Sequence, residues 1–382
     1  MTKSFTFEVL ATDGRTRARR GRLQTPHGEV ETPVFMPVGT AGSVKTLDNR
    51  DLEELGAQLV LANTYHLYLR PGHEVVKNLG GLHGFINRPR PYLTDSGGYQ
   101  VFSLGDFRKI TEEGVRFASH IDGSRHLLTP ELSIAVQEAL GADIIMAFDE
   151  CIPFPATTEY VRQSTERTLR WTERCLRART RDDQALFGIV QGGMDEELRR
   201  WSAERTVALD LPGYALGGLS VGESKDQMMR VAAFAAPLLP AEKPRYVMGV
   251  GHPEDILEMI AYGVDMFDCV MPTRNARTGT LYTHEGRINI RNARHKTDPA
   301  PLDPECGCPT CRTHSRAYLR HLFMAGEPSV LRLLTLHNIH FYFEMINGAR
   351  AAIANGTYFD YYSAFRDKME RTEILKGKAN VD

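Results

Sequence analysis

The sequence predicts an α/β protein: a parallel (β/α)8 barrel of the TIM type, preceded by an antiparallel β element and followed by a cysteine-bearing subdomain. Three observations carry that expectation. Eight short apolar runs recur along the chain, at residues 34–38, 59–61, 92–94, 144–148, 187–190, 214–216, 246–248 and 266–267. Segments of helical period separate most of them, and polar residues gather just after the runs instead of scattering.

The opening comes first. Residues 5–9 and 21–30 alternate apolar and polar side chains around glycine and a Pro26-His27-Gly28 turn, as an antiparallel hairpin or meander would. The eight runs are continuous, the pattern of strands buried on both faces. Between them, residues 130–140, 159–177, 196–209 and 253–261 repeat with helical period. Gly56, Gly141 and Gly263 each stand where a helix ends and an apolar run begins, the place for a left-handed C-cap. Periodicity alone also admits a doubly wound open sheet. The polar residues favour the barrel: Asp95, Ser96, Asp149, Glu150, Gln191, Gly217, Gly218, Gly249 to Gly251 and Asp268 all follow runs. In a barrel those positions share one rim, where barrel enzymes keep their chemistry. The expected division is 1–295 for the barrel with its β cap, and 296–382 for a zinc-binding subdomain with C-terminal helices.

Composition narrows the classes. With 382 residues, 42% hydrophobic and 25% charged, the chain has the make-up of a globular enzyme. The first eight residues lack the basic-then-apolar pattern of an export signal, and no apolar run is long enough to span a bilayer. We therefore expect no membrane partner and a cytoplasmic location. Six cysteines are too few for a disulfide scaffold in a chain of this length. The net charge of −2 gives no general basic excess, so nucleic-acid binding requires a local patch.

Cys306, Cys308 and Cys311 offer three thiolates at C-x-C-x-x-C spacing. Zinc takes four tetrahedral ligands, which leaves one to be supplied from downstream, by His314, His321, His337 or His340. A closed Cys3His set has no open position, so this metal is expected to be structural, one ion per chain. Cys175 is expected on a helix face, and Cys269 behind its strand.

Two aspartates on one rim, Asp95 and Asp268, suggest glycosyl transfer, one as nucleophile at the anomeric carbon and one moving protons. Taken singly, either would serve as well to cap a helix. On residues alone the reading stops at a barrel enzyme of glycosyl transfer.

The motifs go further. Thr94-Asp-Ser-Gly-Gly-Tyr-Gln100, Phe148-Asp-Glu-Cys151, Phe187-Gly-Ile-Val-Gln-Gly192, Gly217-Gly-Leu219, Met248-Gly-Val-Gly251, Phe267-Asp-Cys-Val-Met-Pro-Thr-Arg274 and the cysteine cluster closely resemble the tRNA-guanine transglycosylases, also called queuine tRNA-ribosyltransferases, of bacterial type. The resemblance runs from about Thr32 to about His337, in order. Residues 104–110, 295–303 and the C-terminal tail do not match clearly.

The resemblance implies an exchange of the wobble guanine in tRNAs with a GUN anticodon. The incoming base would be the queuine precursor 7-aminomethyl-7-deazaguanine, and the route two displacements through an aspartyl-ribose ester. It implies Asp268 as nucleophile and Asp95 as general acid/base. The base pocket would comprise Asp95, Ser96, Gly97, Gly98, Tyr99, Asp149, Gln191, Gly218 and Leu219. The segments Gly249, Val250, Gly251, His252, Pro253, Glu254, Asp255 and Thr273, Arg274, Asn275, Ala276, Arg277 would contact RNA. It selects His337 as the fourth zinc ligand and implies a homodimer. Cys151 and Val221 resemble the bacterial pocket, too narrow for queuine, with the Leu219 carbonyl and Glu223 near the ligand's ammonium.

These roles fit elementary chemistry. Guanine presents two adjacent donors, which one carboxylate such as Asp149 can accept together. Tyr99 is placed either to stack on the base or to pack under the rim. Between Thr273 and Lys296, Arg274, Arg277, Arg287, Arg291, Arg294 and Lys296 face a single acid, Glu285, beside the expected nucleophile. That local excess is where a phosphate backbone would run. The arginines of 162–181 alternate with Glu166, Glu173 and Asp182 and are read as an exposed, internally paired helix without function. The competing reading is a barrel glycoside hydrolase or nucleosidase acting on small substrates, which would need neither the zinc module nor the basic segment.

Overall fold

The computed structural model describes residues 5–104 and 108–378. The chain opens with three antiparallel strands, β1 (Thr6–Thr12), β2 (Arg19–Thr25) and β3 (Gly28–Thr32), in the order β1-β2-β3. The Pro26-His27 turn joins the last two, with the Thr25 hydroxyl donating to the Gly28 carbonyl at 2.9 Å. The expected meander is present.

Eight parallel strands then close a barrel. They are β4 (Val34–Gly39), β5 (Val60–Ala62) and β6 (Tyr92–Thr94), and, after an inserted sheet of β7 (Lys109–Ile110), β8 (Val115–Ala118) and β9 (Arg125–Leu128), β10 (Ile144–Met146), β11 (Ala185–Val190), β12 (Gly213–Leu216), β13 (Arg245–Val247) and β14 (Met266–Cys269). Strand β14 pairs back to β4, with Met266 opposite Val34 and Asp268 opposite Met36. Each run is largely apolar because both its faces are buried, with polar residues such as Thr94 and Asp268 toward the strand ends. Val34, Met36, Val38, Leu61, Ile144, Met146, Phe187, Ile189 and Met266 fill the barrel interior, whereas Phe35, Val60, Ile145, Leu186 and Phe267 pack outward against helices. Leu23 and Val30 of the meander join the interior cluster, so the N-terminal sheet plugs the barrel floor.

The helices Pro130–Leu140 and Pro253–Ala261 fall on the expected residues, and Thr158–Ala178 and Glu196–Val207 nearly so. Gly141 is a left-handed C-cap at φ +73°. The inserted sheet β7–β9 was not expected: its strands are two to four residues long, too short for alternation to register. It also corrects the reading of the arginine-rich helix. Arg170 is bound by Glu112 of the insertion at 2.7 and 2.9 Å and Arg174 by Glu131 at 2.7 Å, while Arg167 pairs with Glu150. Within the helix Arg177 lies 3.9 Å from Glu173. The charges tie three elements together because the opposite face of the helix buries Trp171 and Cys175 and fixes its orientation.

Beyond the barrel come a hairpin, β15 (Thr280–Thr283) and β16 (Gly286–Asn289), and the helices Pro309–Thr313, Arg316–Ala325, Ser329–Ala354 and Tyr358–Lys378. The long helix Ser329–Ala354 buries fifteen side chains, Phe341 and Tyr342 among them, and packs on β2, β4 and the helix Met271–Thr278. The Tyr358 hydroxyl donates to the Leu257 carbonyl at 2.5 Å, holding the last helix to the barrel wall. Among the described residues no helix is long and apolar enough to cross a membrane.

Candidate functional site

The C-terminal ends of the strands surround a cavity of about 360 Å³ whose walls include Asp95, Asp149 and Asp268. Asp95 follows β6 and is 7% exposed. Both its oxygens are held by neutral donors: the Asn63 amide reaches Oδ2 at 2.5 Å and the Thr64 backbone N–H reaches Oδ1 at 2.8 Å. Burial dominates over these donors, and the nearby Asp268 charge adds to it, so the carboxyl is pushed up to about 6. Such a group exchanges its proton near neutrality.

Asp268 lies within β14, partly open to the cavity but enclosed by apolar walls. The Tyr246 hydroxyl and the Gly249 N–H both donate to its Oδ1, at 2.5 and 2.8 Å. Its Oδ2 is left without a partner among the described residues. Burial raises this carboxyl above its ordinary value, and the two donors hold it down. One oxygen anchored and one free is the geometry of a carboxylate able to attack.

Asp149 completes the group. The Ser96 hydroxyl binds its Oδ1 at 3.0 Å and the Gln191 amide its Oδ2 at 2.8 Å, and burial again pushes the carboxyl up. Gly98 approaches so closely that a Cβ there would stand 2.5 Å from the Asp149 carbonyl. At Gly218, φ is +65° and a Cβ would meet the Gln191 side chain at 2.4 Å. Glycine is required at both. Ser96, Tyr99, Gly218 and Leu219 line the cavity. Gly97 lies just behind it against Tyr65, and Gln191 lies fully buried beneath it. Tyr99 is 51% exposed, so it is not packed under the rim.

Three neighbours of the carboxylates went unassigned. Asn63 and Thr64 come directly after the run at 59–61, so the positional rule that found Asp95 would have found them. Tyr246 sits inside an apolar run, which suggests only a buried ring, yet its hydroxyl reaches Asp268 at the rim. Cys269 is buried behind its strand, as expected, in the cluster that also holds Phe267, with its sulfur against Gly251, where a Cβ would stand 2.2 Å from it; the residue also borders the cavity. Cys175 is on a helix face, as expected, and is fully buried.

The two segments assigned to RNA flank this mouth. In the first, Gly249 is exposed and His252 and Glu254 half-buried, while Val250, Gly251, Pro253 and Asp255 are buried, Asp255 in an ion pair with Lys225 at 2.7 Å. In the second, Arg274 is exposed and lines the cavity; Asn275 and Arg277 are half-buried, and Thr273 and Ala276 buried. Of the neighbouring basic residues, Arg291, Arg294 and Lys296 are exposed, and Arg287 is turned toward Glu254. His284 and His295 are drawn toward Asp303 and Asp298.

Away from the cavity, Cys306, Cys308, Cys311 and His337 bring their ligand atoms within 4.8 Å of one another, all four residues buried. The His337 Nδ1 lies 3.6, 3.6 and 3.3 Å from the three sulfurs. Ligand atoms on a tetrahedral zinc sit about 3.5–3.8 Å apart, so the set fits such an ion with little adjustment. The His337 Nε2 donates to the Tyr282 carbonyl at 2.7 Å, which fixes the ring and leaves Nδ1 free for metal. His340 approaches only Cys306, and turns toward Glu344. The four residues form a closed, structural metal site.

Comparisons with known proteins agree with this arrangement. A family model described as queuine tRNA-ribosyltransferase matches residues 13–371. The queuine tRNA-ribosyltransferase of Thermus thermophilus is 59% identical over 370 residues, covering 97% of this chain and 96% of that one. That of Geobacillus kaustophilus is 56% identical over 96% of both chains. That of Halothermothrix orenii is 53% identical over 98% of this chain and 99% of its own.

Proposed function

The chain belongs to the queuine tRNA-ribosyltransferase family, and on that premise we propose that it replaces the wobble guanine of tRNAs with GUN anticodons by 7-aminomethyl-7-deazaguanine. It is an enzyme, a pentosyltransferase. The observation that carries the finer reading is the contrast at the cavity wall: Asp268 keeps one oxygen free, while both oxygens of Asp95 are held and its carboxyl sits near 6.

In this mechanism the free oxygen of Asp268 attacks the ribose C1′ as the bond to guanine breaks. Asp95 gives its proton to the departing base. The incoming base then attacks C1′, loses its proton to Asp95 and releases Asp268, so configuration is retained over two displacements. Asp149 accepts the paired donors of the purine, and the Gly218–Leu219 backbone offers donors for its oxo group. Ser96, Gly97, Gly98, Tyr99 and Gln191 shape the pocket. The Leu219 carbonyl accepts from the aminomethyl ammonium, and Cys151 and Val221 set the limit on base size. Anticodon-loop bases are single-stranded, which makes extrusion into the cavity cheap. The segments 249–255 and 273–277 receive the strand around that base, with Arg274 at the mouth.

We assign zinc to the Cys3His site because three thiolates and an imidazole in a tetrahedral set suit it. When bound, the ion supplies folding energy and no chemistry. The division of 1–295 for the reaction and 296–382 for the zinc module, the homodimer and the cytoplasmic location belong to the same reading. Incubation with unmodified tRNA and labelled guanine tests it. Acid-precipitable label is expected; free sugar released without RNA would instead indicate a nucleosidase. Purified enzyme that accepts queuine as readily as the precursor would refute the size limit.

A further inference from the structure

Arg199, on the helix Glu196–Val207, is fully buried, and among the described residues no carboxylate lies within salt-bridge distance of its guanidinium, the Glu223 charge acting on it only from farther off. It spends its donors on carbonyl groups: Nε on Gly193 at 2.9 Å, Nη1 on Val190 at 2.9 Å and on Gly217 at 2.8 Å, and Nη2 toward Gly218 at 3.5 Å. A buried arginine with no carboxylate in direct contact is costly, and is retained where its fork fixes something.

What it fixes is the loop after β12. The amide of Gly217 donates to Val190 at 3.1 Å. Farther along, Glu223 accepts from the amides of Ser220 and Val221, at 2.5 and 2.9 Å. Gly218 and Ser220 both stand at positive φ, +65° and +60°, a backbone that persists only when its surroundings over-determine it. Arg199 thus takes the carbonyls at one end of the loop and Glu223 the amides at the other. Among the described residues, no hydrogen bond claims the N–H of Gly218, the N–H and C=O of Leu219 or the carbonyls of Ser220 and Val221, and all four residues line the cavity; those of Gly218 and Leu219 lie next to the carbonyls that Arg199 holds. A second tie runs through Gln191. Arg199 holds the carbonyl of the preceding residue, Val190, and Gln191 in turn donates to Asp149.

We propose that Arg199 is a positioning residue of the base pocket, which aims the free backbone groups of Gly218 and Leu219, and through Val190 the Gln191–Asp149 pair, at the purine. This rests on the reading of the cavity as a purine site. A residue of this kind touches neither substrate nor nucleophile, so its loss should weaken capture of the base and spare the displacement at C1′.

The test compares two buried arginines in the holoenzyme. Arg245, at the floor end of β13, donates to the carbonyls of Leu239 and Pro240 far from the cavity, and Arg245→Lys reports plain loss of stability. Arg199→Lys keeps the charge but not the fork; Arg199→Met removes both. The KM for guanine should rise about tenfold in Arg199→Lys and further in Arg199→Met, with kcat at saturating guanine within about threefold of wild type. In Arg245→Lys the Tm should fall while KM stays within about twofold. Guanine binding measured by calorimetry provides a readout that does not depend on turnover, and thermal denaturation gives the folded fraction of each variant. An unchanged guanine affinity in folded Arg199→Lys overturns the proposal, as does a KM that follows Tm alike in both arginine variants. Wild-type enzyme that binds guanine but inserts none defeats the proposed exchange while leaving the role of Arg199 standing; wild type that binds no guanine defeats both.

Discussion

Asp265 and Asp268 lie three residues apart at opposite ends of the same barrel strand, and their surroundings could hardly differ more. Asp265, at the floor, is fully buried, which raises its carboxyl as burial does at the rim, but it is held by the Arg19 guanidinium at 2.9 and 2.5 Å and by the Arg245 N–H at 2.7 Å. Asp143, also at the floor, takes His27, His83 and the Tyr92 N–H, which together hold its carboxyl below the ordinary value. At the rim, Asp95, Asp149 and Asp268 receive hydroxyls, amides and backbone N–H groups but, among the described residues, no cation within salt-bridge distance, and burial raises all three. The floor neutralises its acids, so they serve as structure. The rim leaves its acids poised, so they can accept protons or attack carbon. A buried carboxylate is therefore informative through the charge of its partners, not through its burial.

That comparison can be broken most sharply at its centre. Asp268→Asn should reduce label incorporation into tRNA by about a thousandfold or more, since the free Oδ2 is lost, while Tm holds or rises with a buried charge removed. Appreciable turnover would move the nucleophile elsewhere. The mirror experiment is Asp265→Asn, which strands Arg19 in the floor. Urea unfolding should show a loss of about 3–5 kcal/mol, with the kcat/KM of the folded enzyme nearly unchanged. Loss of exchange without loss of stability would erase the distinction between the two ends.

Stripping the metal with a strong chelator should unfold the region around the four ligands, read as lost helical signal and a lowered Tm that zinc restores. Full stability without metal would refute a structural role. Asp95 sharpens the contrast through pH. Guanine release needs it protonated, so single-turnover release should fall about tenfold per pH unit above about 6. Capture of the incoming base needs it ionised and should fall below the same point. Identical limbs for both half-reactions would assign the proton to another group. The smallest effect is on stability. A carboxyl raised in the fold stabilises it while neutral, fully below about pH 4, and that contribution is lost as pH climbs through 6. Asp95→Asn should accordingly be more stable than wild type at pH 8, by about 3 kcal/mol at most.

Much of the arrangement was legible in the order of residues. The eight apolar runs marked all eight barrel strands, because a strand buried on both faces is apolar along most of its length and carries polar side chains mainly at its ends, as Thr94, Arg245 and Asp268 do. The residues just after those runs marked the rim, because strand ends are where a barrel turns outward. Asn63 occupies the same kind of position after its run as Asp95 does, but an amide carries no chemistry by itself and so gives no signal of its role as a donor to Asp95. Tyr246 was hidden by its class: a tyrosine in an apolar run announces its ring, not where its hydroxyl will point. The inserted sheet left no periodic trace, and part of the unmatched segment 104–110 lies outside the described residues.

What the sequence determined alone was thus the parallel barrel and the spacing that gathers three thiolates, both consequences of local pattern and short-range reach. Only the tertiary structure decided which donors meet which carboxylate oxygen, that His337 and not His340 faces all three sulfurs, and that Arg199 ends beneath a loop eighteen residues further on. Those outcomes depend on contacts between strands and helices distant along the chain, whose geometry no local pattern contains.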